Sequence, residues 1–146
     1  VVIAQDAAGR VVGASTGLPV AQEETEFGEP FKHAGIDPAE VFYFGESVLL
    51  PEFRGHGVGR EFMKRREAHA RSLPGIRLAA FCAVDRPNDH PMRPTGYRPL
   101  DEFWTRCGFA KRPGLTTRFN WKEVGDAEET PHTLTFWIKA TSKNPP

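Results

Sequence analysis

Apolar and polar positions along the chain predict β-hairpins at both ends. Val1 to Gln5 and Val11 to Thr16 are rich in β-branched residues, and the turn-forming segment Asp6 to Arg10 separates them. Thr116 to Val124 and Thr133 to Ala140 place large apolar residues at every second position, which is typical of strands with one buried face. We therefore expect a hairpin before and a hairpin after the middle of the chain.

The middle of the chain predicts a strand, a helix and a second strand. Val41 to Leu50 and Arg77 to Val84 are apolar enough to be buried strands. Gly59 to Arg71 places apolar side chains at helical spacing, and Pro74-Gly75 ends that helix. Such a unit predicts a parallel strand pair with a right-handed crossover. The fold class is therefore α/β, with a mixed, mostly antiparallel central sheet that contains a parallel strand–helix–strand unit.

Three segments between these elements need separate interpretation. Ala21 to Glu40 predicts a short helix plus loop, and its clustered glutamates indicate either a solvated surface excursion or a lid over a pocket for a cationic substrate. The prolines of Asp85 to Pro99 predict a long loop. Leu100 to Cys107 predicts a short helix that Gly108 closes. One domain over residues 1–140 with a frayed tail at 141–146 is the simplest organisation.

Composition excludes several classes of protein. The chain has 146 residues, enough for one domain, and 19 basic residues balance 19 acidic ones, so no basic excess favours nucleic acid or an anionic membrane. No apolar run approaches the roughly 20 residues of a membrane span. Two cysteines without zinc-ligand spacing predict neither a disulfide framework nor a metal site, and we expect a reduced, cytoplasmic location. The chain opens without Met, as if inside a strand, so we expect that N-terminal residues are absent.

A glycine-rich loop is the clearest chemical motif. Arg54-Gly55-His56-Gly57-Val58-Gly59 lies between a predicted strand and a predicted helix. Glycines let consecutive backbone N–H groups point into one space, and the helix adds its own unpaired N–H groups, which together favour a phosphate or pyrophosphate. The spacing fits neither a P-loop, which needs Lys-Ser or Lys-Thr, nor a dinucleotide fingerprint. The alternative is that the glycines serve only a tight turn.

The motif R-x-x-G-x-G, entered from Leu-Leu-Pro, resembles the acetyl-CoA pyrophosphate motif of the GNAT superfamily. The segment from Phe103 to Phe109 is similar to that family's short helix with its terminal Gly-Phe, and the two closing strands also fit. The resemblance covers roughly Val1 to Ala140, with no counterpart of the family's first strand and first two helices. It implies a GNAT fold and an N-acetyltransferase that moves acetyl from acetyl-CoA to a small-molecule or peptide amine by direct attack in a ternary complex.

The same resemblance implies the residues that hold acetyl-CoA. The loop and the following arginine would bind the pyrophosphate, with His56 contributing its backbone N–H rather than its ring. Backbone groups of Val48, Leu49 and Leu50 would lie along the pantetheine, and one N–H there would stabilise the oxyanion. Trp104 occupies the helix position next to the cofactor. The complete cofactor set is Val48, Leu49, Leu50, Arg54, Gly55, His56, Gly57, Val58, Gly59, Arg60 and Trp104.

Glu46 and Tyr97 are the candidate catalytic residues. Glu46 interrupts an apolar strand, where a carboxylate is costly unless it is paired or functional, and burial would raise its pKa toward that of a useful base. The alternative is an ion pair with Arg77 or Arg98. The family's usual acid is a tyrosine at the position of Trp104, so Tyr97 is a candidate substitute; a packing role for Tyr97 and an acid-free mechanism are the alternatives, since a thiol leaves readily.

Two other functions stay open at this point. The chain could be a non-catalytic acyl-CoA-binding module, or a small interaction domain that pairs through an exposed strand edge. Because the family's first elements form one wall of the acceptor pocket, their absence predicts an exposed apolar flank and self-association, with a homodimer as one form.

Overall fold

The computed structural model describes residues 1–22 and 25–141, and it gives no side-chain environment for Thr25 and Glu26. Glu23 and Glu24 of the predicted lid, and the predicted tail beyond residue 141, lie outside the described residues. The elements are β1 (Val2–Gln5), β2 (Val11–Pro19), α1 (Thr25–His33), β3 (Val41–Leu49), α2 (Val58–Ser72), β4 (Leu78–Val84), α3 (Asp101–Arg106), β5 (Ala110–Trp121) and β6 (Thr130–Ala140).

The described strands form one six-stranded sheet in the order β1-β2-β3-β4-β6-β5. β3 and β4 are parallel, with α2 as their crossover, and every other adjacent pair is antiparallel. Both terminal hairpins and the central strand–helix–strand unit are therefore confirmed, and so is the mixed, mostly antiparallel class. Among the described helices, none is both long and apolar enough to cross a lipid bilayer.

Each face of the sheet carries its own apolar core, because alternate residues of a strand point to opposite faces. α2 and α3 cover the face that contains Phe42, Phe44, Phe81, Phe109 and Trp137. α1 covers the other face, where the core residues are Val20, Phe31, Val41, Ala80, Leu115, Phe136 and Ile138. Replacing a fully buried phenylalanine such as Phe31 with alanine would cost about 3–5 kcal/mol of stability.

The parallel strands β3 and β4 separate soon after they pair. Their register covers only Val41 to Tyr43 against Leu78 to Ala80, although both strands continue beyond it. From there β3 pairs with β2 and β4 pairs with β6. The sheet therefore contains a wedge-shaped gap that opens between the carboxyl ends of its two parallel strands, where ligands of open α/β sheets commonly bind.

A bulge in β3 accompanies this separation. Phe44 pairs with Gly17 whereas Ser47 pairs with Ser15, so β3 carries one residue more than β2 in between. A Cβ atom on Gly45 would lie 2.6 Å from Thr16 Oγ1, so a larger residue does not fit there without displacement. Thr16 Oγ1 in turn accepts a hydrogen bond from Glu46 N at 3.0 Å, which holds the bulge.

Three strands extend beyond their predicted limits, and one of them, β6, begins at Thr130 rather than Thr133. β5 begins at Ala110 rather than Thr116 and ends at Trp121 rather than Val124. It includes Pro113 and Gly114, which lie in an irregularity between Lys111 and Thr116 on an edge strand, where proline costs no ladder hydrogen bond. β2 likewise continues through Gly17 to Pro19. The segment 85–99 forms neither helix nor strand, as its prolines predict.

Candidate active site

A cavity of about 990 Å³ fills the gap between β3 and β4 and continues to both faces of the sheet. Its volume lies within the usual range for small-molecule sites. At one end it contacts the glycine loop, α2 and α3. At the other it contacts α1 and the β5–β6 hairpin. The lining residues that matter below are Phe27, Tyr43, Gly45, Glu46, Ser47, Leu49, Arg54, Gly55, Gly57, Gly59, Arg60, Arg66, Cys82, Phe103, Trp104, Phe119, Trp121 and Leu134.

The glycine loop has the backbone that its sequence predicts. Gly55 and Gly57 have φ angles of 79° and 85°, in the region that favours glycine. No described atom lies within 4 Å of a Cβ built on either of them, so open space adjoins the loop. The first turn of α2 packs against α3 at Gly59, since a Cβ built on Gly59 would lie 3.7 Å from the ring of Phe103.

The loop presents unpaired backbone donors to the cavity. α2 begins after Gly57 without a side-chain cap in the described part, and the first return bond of the helix is Glu61 N to Gly57 O at 3.1 Å. The N–H groups of the preceding turn therefore have no intrahelical partner, and the helix dipole makes that end positive. Arg54 and Arg60 line the same end of the cavity. This arrangement is suited to binding an anion.

The end of β3 supplies further backbone groups. Leu50 N donates to Val12 O at 2.9 Å, so this N–H is already used within the sheet. In an antiparallel pair, alternate residues direct their N–H groups to the same neighbour, so the N–H of Leu49 faces away from β2 and toward the gap. Arg54 Nε donates to Leu49 O at 3.2 Å and ties the loop to the strand. Of the three residues predicted to lie along the pantetheine, Leu49 lines the cavity, while the Val48 side chain is 60% exposed.

Glu46 lines the cavity at an exposed position, so the prediction that it is buried within an apolar strand was wrong. Glu46 lies in the bulge of β3, at an exposed position. The alternative of an Arg77 ion pair is also wrong, since Arg77 Nε binds Glu40 Oε1 at 3.1 Å. Within the described residues, Glu46 makes no ion pair, and its carboxylate is free to accept a proton from water or a ligand.

Tyr43 and Cys82 form a polar contact that the sequence did not reveal. Tyr43 Oη lies 3.2 Å from Cys82 Sγ, across the gap where the two parallel strands diverge. Burial raises the pKa of both the Tyr43 phenol and the Cys82 thiol, and the charge of Glu46 adds to the effect on each. Both groups therefore stay protonated at neutral pH.

Aromatic side chains wall the end of the cavity on the α1 side. The ring centroids of Phe27 and Tyr43 are 4.9 Å apart, and so are those of Phe27 and Phe119. We call Phe27, Tyr43, Phe119, Trp121 and Leu134 the aromatic lobe. The alternation of residues in β5 indicated a shared face for Phe119 and Trp121, but nothing in the sequence indicated that Phe27 would lie opposite them.

The two residues considered for the acid position differ in their surroundings. Trp104 lines the cavity and packs on Phe81 and Trp137, with ring centroids 5.0 and 5.2 Å away. Tyr97 is 52% exposed in the 85–99 loop beside Arg93, and it is not among the residues that line the cavity. The structure does not bring Tyr97 together with Glu46 and the glycine loop. His56, Val48, Leu50 and Val58 also lie outside the lining, although their backbone belongs to the segments that form it.

Arg66 is a buried cation on α2 that the sequence analysis did not single out. Its guanidinium stacks on the Phe44 ring at 4.4 Å and donates to Thr16 O at 3.2 Å. Burial lowers the pKa of Arg66 to about 10, so it remains charged at neutral pH. By binding Thr16, Arg66 fixes the strand segment opposite the β3 bulge.

Comparison with known proteins agrees with this geometry. Residues 1–109 match the sequence model of the acetyltransferase (GNAT) family. The chain belongs to this family. It is therefore expected to share the fold and the general chemistry of acyltransferases, and the glycine loop and gapped sheet lie within or beside the matched residues. No curated protein matches the chain.

Solved structures of acetyltransferases share the fold at low sequence identity. One of them is a protein assigned as a phosphinothricin N-acetyltransferase, which is 16% identical in sequence and has a TM-score of 0.58. The match covers 97% of this chain and 70% of that protein. The spermidine/spermine N-acetyltransferase SpeG from Vibrio cholerae is 12% identical with a TM-score of 0.55, over 97% and 64%. NAA60 from Arabidopsis thaliana, solved with a bisubstrate analogue, is 10% identical with a TM-score of 0.56, over 92% and 68%. The chain thus spans about two thirds of the length of these proteins.

Proposed function

We propose that this member of the GNAT family is an N-acetyltransferase that binds acetyl-CoA at the glycine loop and transfers the acetyl group directly to an amine in a ternary complex. The observation that carries the proposal is the continuous cavity: it joins the unpaired N–H groups of the Arg54–Gly59 loop to the exposed carboxylate of Glu46 through the gap in the sheet. The free cysteines Cys82 and Cys107 fit a cytoplasmic enzyme.

The loop fits the pyrophosphate of acetyl-CoA. Its positive-φ glycines leave open space beside the backbone, and the uncapped N-terminus of α2 supplies donors and a positive dipole end. Arg54 and Arg60 add two cations. Acetyl-CoA supplies an activated thioester, and the residues of the chain supply its position: the edge of β3 at Leu49 accompanies the pantetheine, while Phe103 and Trp104 close the other side.

Leu49 N–H is the backbone donor for the oxyanion. It faces the gap, since the pairing of β3 with β2 directs the N–H groups of Val48 and Leu50 away from it. A fixed donor at the position where negative charge develops is worth about 10²–10³ in rate in other acyl-transfer enzymes. Ser47 lines the cavity on the same strand and precedes this donor by two residues.

Glu46 removes the proton that the amine loses. An alkylamine with a pKa near ~10.4 is almost fully protonated at pH 7, and making it neutral costs about 4–5 kcal/mol. The Glu46 carboxylate is exposed within the cavity, so a water molecule can connect it to the amine. No acid is needed from Tyr97 in this mechanism, because the thiol of the leaving group has a pKa near ~8.5.

A direct test of the cofactor site uses calorimetry with acetyl-CoA. Gly57→Asp would place a carboxylate among the loop N–H groups and should abolish binding, whereas Gly9→Asp is a matched control. Gly9 has a φ of 79° and, like Gly57, nothing described within 4 Å of a built Cβ, but it lies in the β1–β2 turn. Wild-type protein without binding at millimolar acetyl-CoA would contradict the proposal.

The second candidate is a non-catalytic acyl-CoA-binding module. Trp104 at the family's acid position and the distance of Tyr97 from the cavity lining favour it. Both candidates predict binding of acetyl-CoA, so binding alone cannot separate them. Release of CoA thiol on addition of amines, measured with a thiol reagent, is expected for the enzyme and not for the module.

A further inference from the structure

The aromatic lobe lies at the end of the cavity opposite the glycine loop. Phe27 comes from α1, Tyr43 from β3, Phe119 and Trp121 from β5, and Leu134 from β6, so four separate elements converge on this space. All five side chains are half-buried, which means that part of each faces the cavity rather than the core. The lobe and Glu46 line the same cavity. The lobe is therefore in a position to hold the acceptor, the molecule that receives the acetyl group.

The rings of the lobe are held in place by their neighbours. Trp121 stacks on His132 with ring centroids 3.9 Å apart, and its Nε1 donates to Glu123 Oε1 at 3.2 Å. Phe27 packs between Tyr43 and Phe119. A ligand that enters the lobe thus meets preformed aromatic surfaces, which reduces the entropy lost on binding.

The charges around the lobe discriminate between classes of amine. Among the described side chains that line the cavity, Glu46 is the only carboxylate. Glu123, the nearest acid behind Trp121, already binds Arg86 Nη2 at 2.6 Å, and this hydrogen bond lowers the pKa of Glu123. A polyamine would bring a second ammonium into an aromatic space without a described carboxylate to pair with it, and an unpaired buried charge is costly.

We propose that the acceptor is a monoamine that carries an aromatic ring, with the ring in the lobe and the amine at Glu46. The inference rests on the proposed function and adds the substrate class. The amine nitrogen attacks the acetyl carbonyl carbon, a C–N bond forms, and the C–S bond breaks. The electron pair of that bond leaves with sulfur as CoA thiolate, and the ammonium proton passes to Glu46 and then to water.

The test compares phenethylamine, cyclohexylethylamine, ethylamine and putrescine as acceptors, with CoA release as the readout. The kcat/KM for phenethylamine should exceed those for ethylamine and putrescine by at least about 100-fold, since burial of a ring exceeds the effect of a single methylene. Cyclohexylethylamine should fall between them because it fills the lobe without aromatic stacking. A kcat/KM for putrescine or ethylamine that equals that for phenethylamine would overturn the proposal.

Variants of the lobe separate acceptor recognition from cofactor binding. Phe119→Ala and Trp121→Ala should lower kcat/KM for phenethylamine at least tenfold while leaving the value for ethylamine within threefold and the Kd for acetyl-CoA within twofold. Val124→Ala, at an exposed apolar residue of the same hairpin, is the control and should change nothing. If either alanine variant fails to fold, leucine at the same position retains most of the volume and should still lose the preference for the ring. Equal losses for both amines would contradict a role in ring recognition.

A further measurement distinguishes failure of this inference from failure of the proposed function. Calorimetry of phenethylamine and putrescine against the protein saturated with CoA, which has no acetyl group to transfer, reports acceptor binding without turnover. Tight binding of phenethylamine without CoA release from any amine supports the acceptor class and refutes the enzyme. CoA release from putrescine with no binding of phenethylamine supports the enzyme and refutes the acceptor class.

Discussion

At the scale of single residues, Glu46 is the proposed base, and its carboxylate lines the cavity at an exposed position. Its sequence context indicated a buried strand, but the bulge at Gly45 exposes it to the cavity. Tyr43 and Cys82, which also line the cavity, are neutral at pH 7 because burial raises the pKa of each. Among the described residues that line the cavity, Glu46 is the carboxylate available to an incoming ammonium.

Replacing Glu46 with glutamine should lower turnover about 10²-fold or more at neutral pH, which is the usual contribution of a general base. The loss should shrink as the pH approaches the pKa of the amine, because more amine is then neutral before it binds. The pH–rate profile of both proteins measures this. Glu52→Gln, at an exposed glutamate shortly after β3, is the matched control. An unchanged rate and profile in Glu46→Gln would exclude Glu46 as the base.

Tyr97→Phe should lower turnover less than tenfold. The phenol is exposed and outside the cavity lining, and the CoA thiol leaves without needing a strong acid. Steady-state kinetics with a single amine gives the ratio. A thousandfold loss would show that the 85–99 loop closes over the site and that Tyr97 has taken over the role of acid.

At the scale of elements, the bulge in β3 accompanies the separation of β3 from β4, and the cavity lies in the resulting gap. The sequence predicted β3, α2 and β4 nearly at their observed limits, because burial periodicity and Pro74-Gly75 are local signals. The separation of β3 from β4 was not predictable, since it depends on contacts between residues far apart in sequence, such as Arg66 with Thr16. The same is true of the aromatic lobe, whose members come from α1, β3, β5 and β6.

Gly45→Ala should destabilise the fold by about 1–3 kcal/mol, because the added Cβ would lie 2.6 Å from Thr16 Oγ1. Chemical denaturation measures the change, and acetyl-CoA affinity should fall with it, since the bulge positions Leu49. Gly114→Ala is the matched control: it is also a strand glycine, but no described atom lies within 4 Å of a built Cβ. In a Thr16→Ala background the cost of Gly45→Ala should be smaller, and purely additive costs would argue against this contact.

At the scale of the whole molecule, the cavity interrupts the packing of side chains at the centre of the sheet. The stability of the fold therefore depends on the two apolar cores, one on each face of the sheet. The faces meet through β3 and β4, where Phe42 and Phe44 pack toward α2 while Val41 and Tyr43 pack toward α1. Tyr43 and Cys82 bridge the gap at the point where the strands part. The stability of the molecule is therefore coupled to the protonation of a pair that borders the site.

The free energy of unfolding should fall as the pH rises above about 8.5, the pKa of an unperturbed thiol. Folding raises the pKa of Cys82 and of Tyr43, so above that pH the unfolded chain loses protons that the folded chain retains, and deprotonation favours the unfolded state. Below that pH both groups are protonated in both states and have no effect. Relative to the double variant Tyr43→Phe/Cys82→Ala, the wild type should lose stability progressively as the pH rises above that value. Urea denaturation of both proteins across this range measures the difference, in which the titration of all other groups cancels. Parallel curves would show that the contact between Tyr43 and Cys82 does not hold these protons in the folded protein.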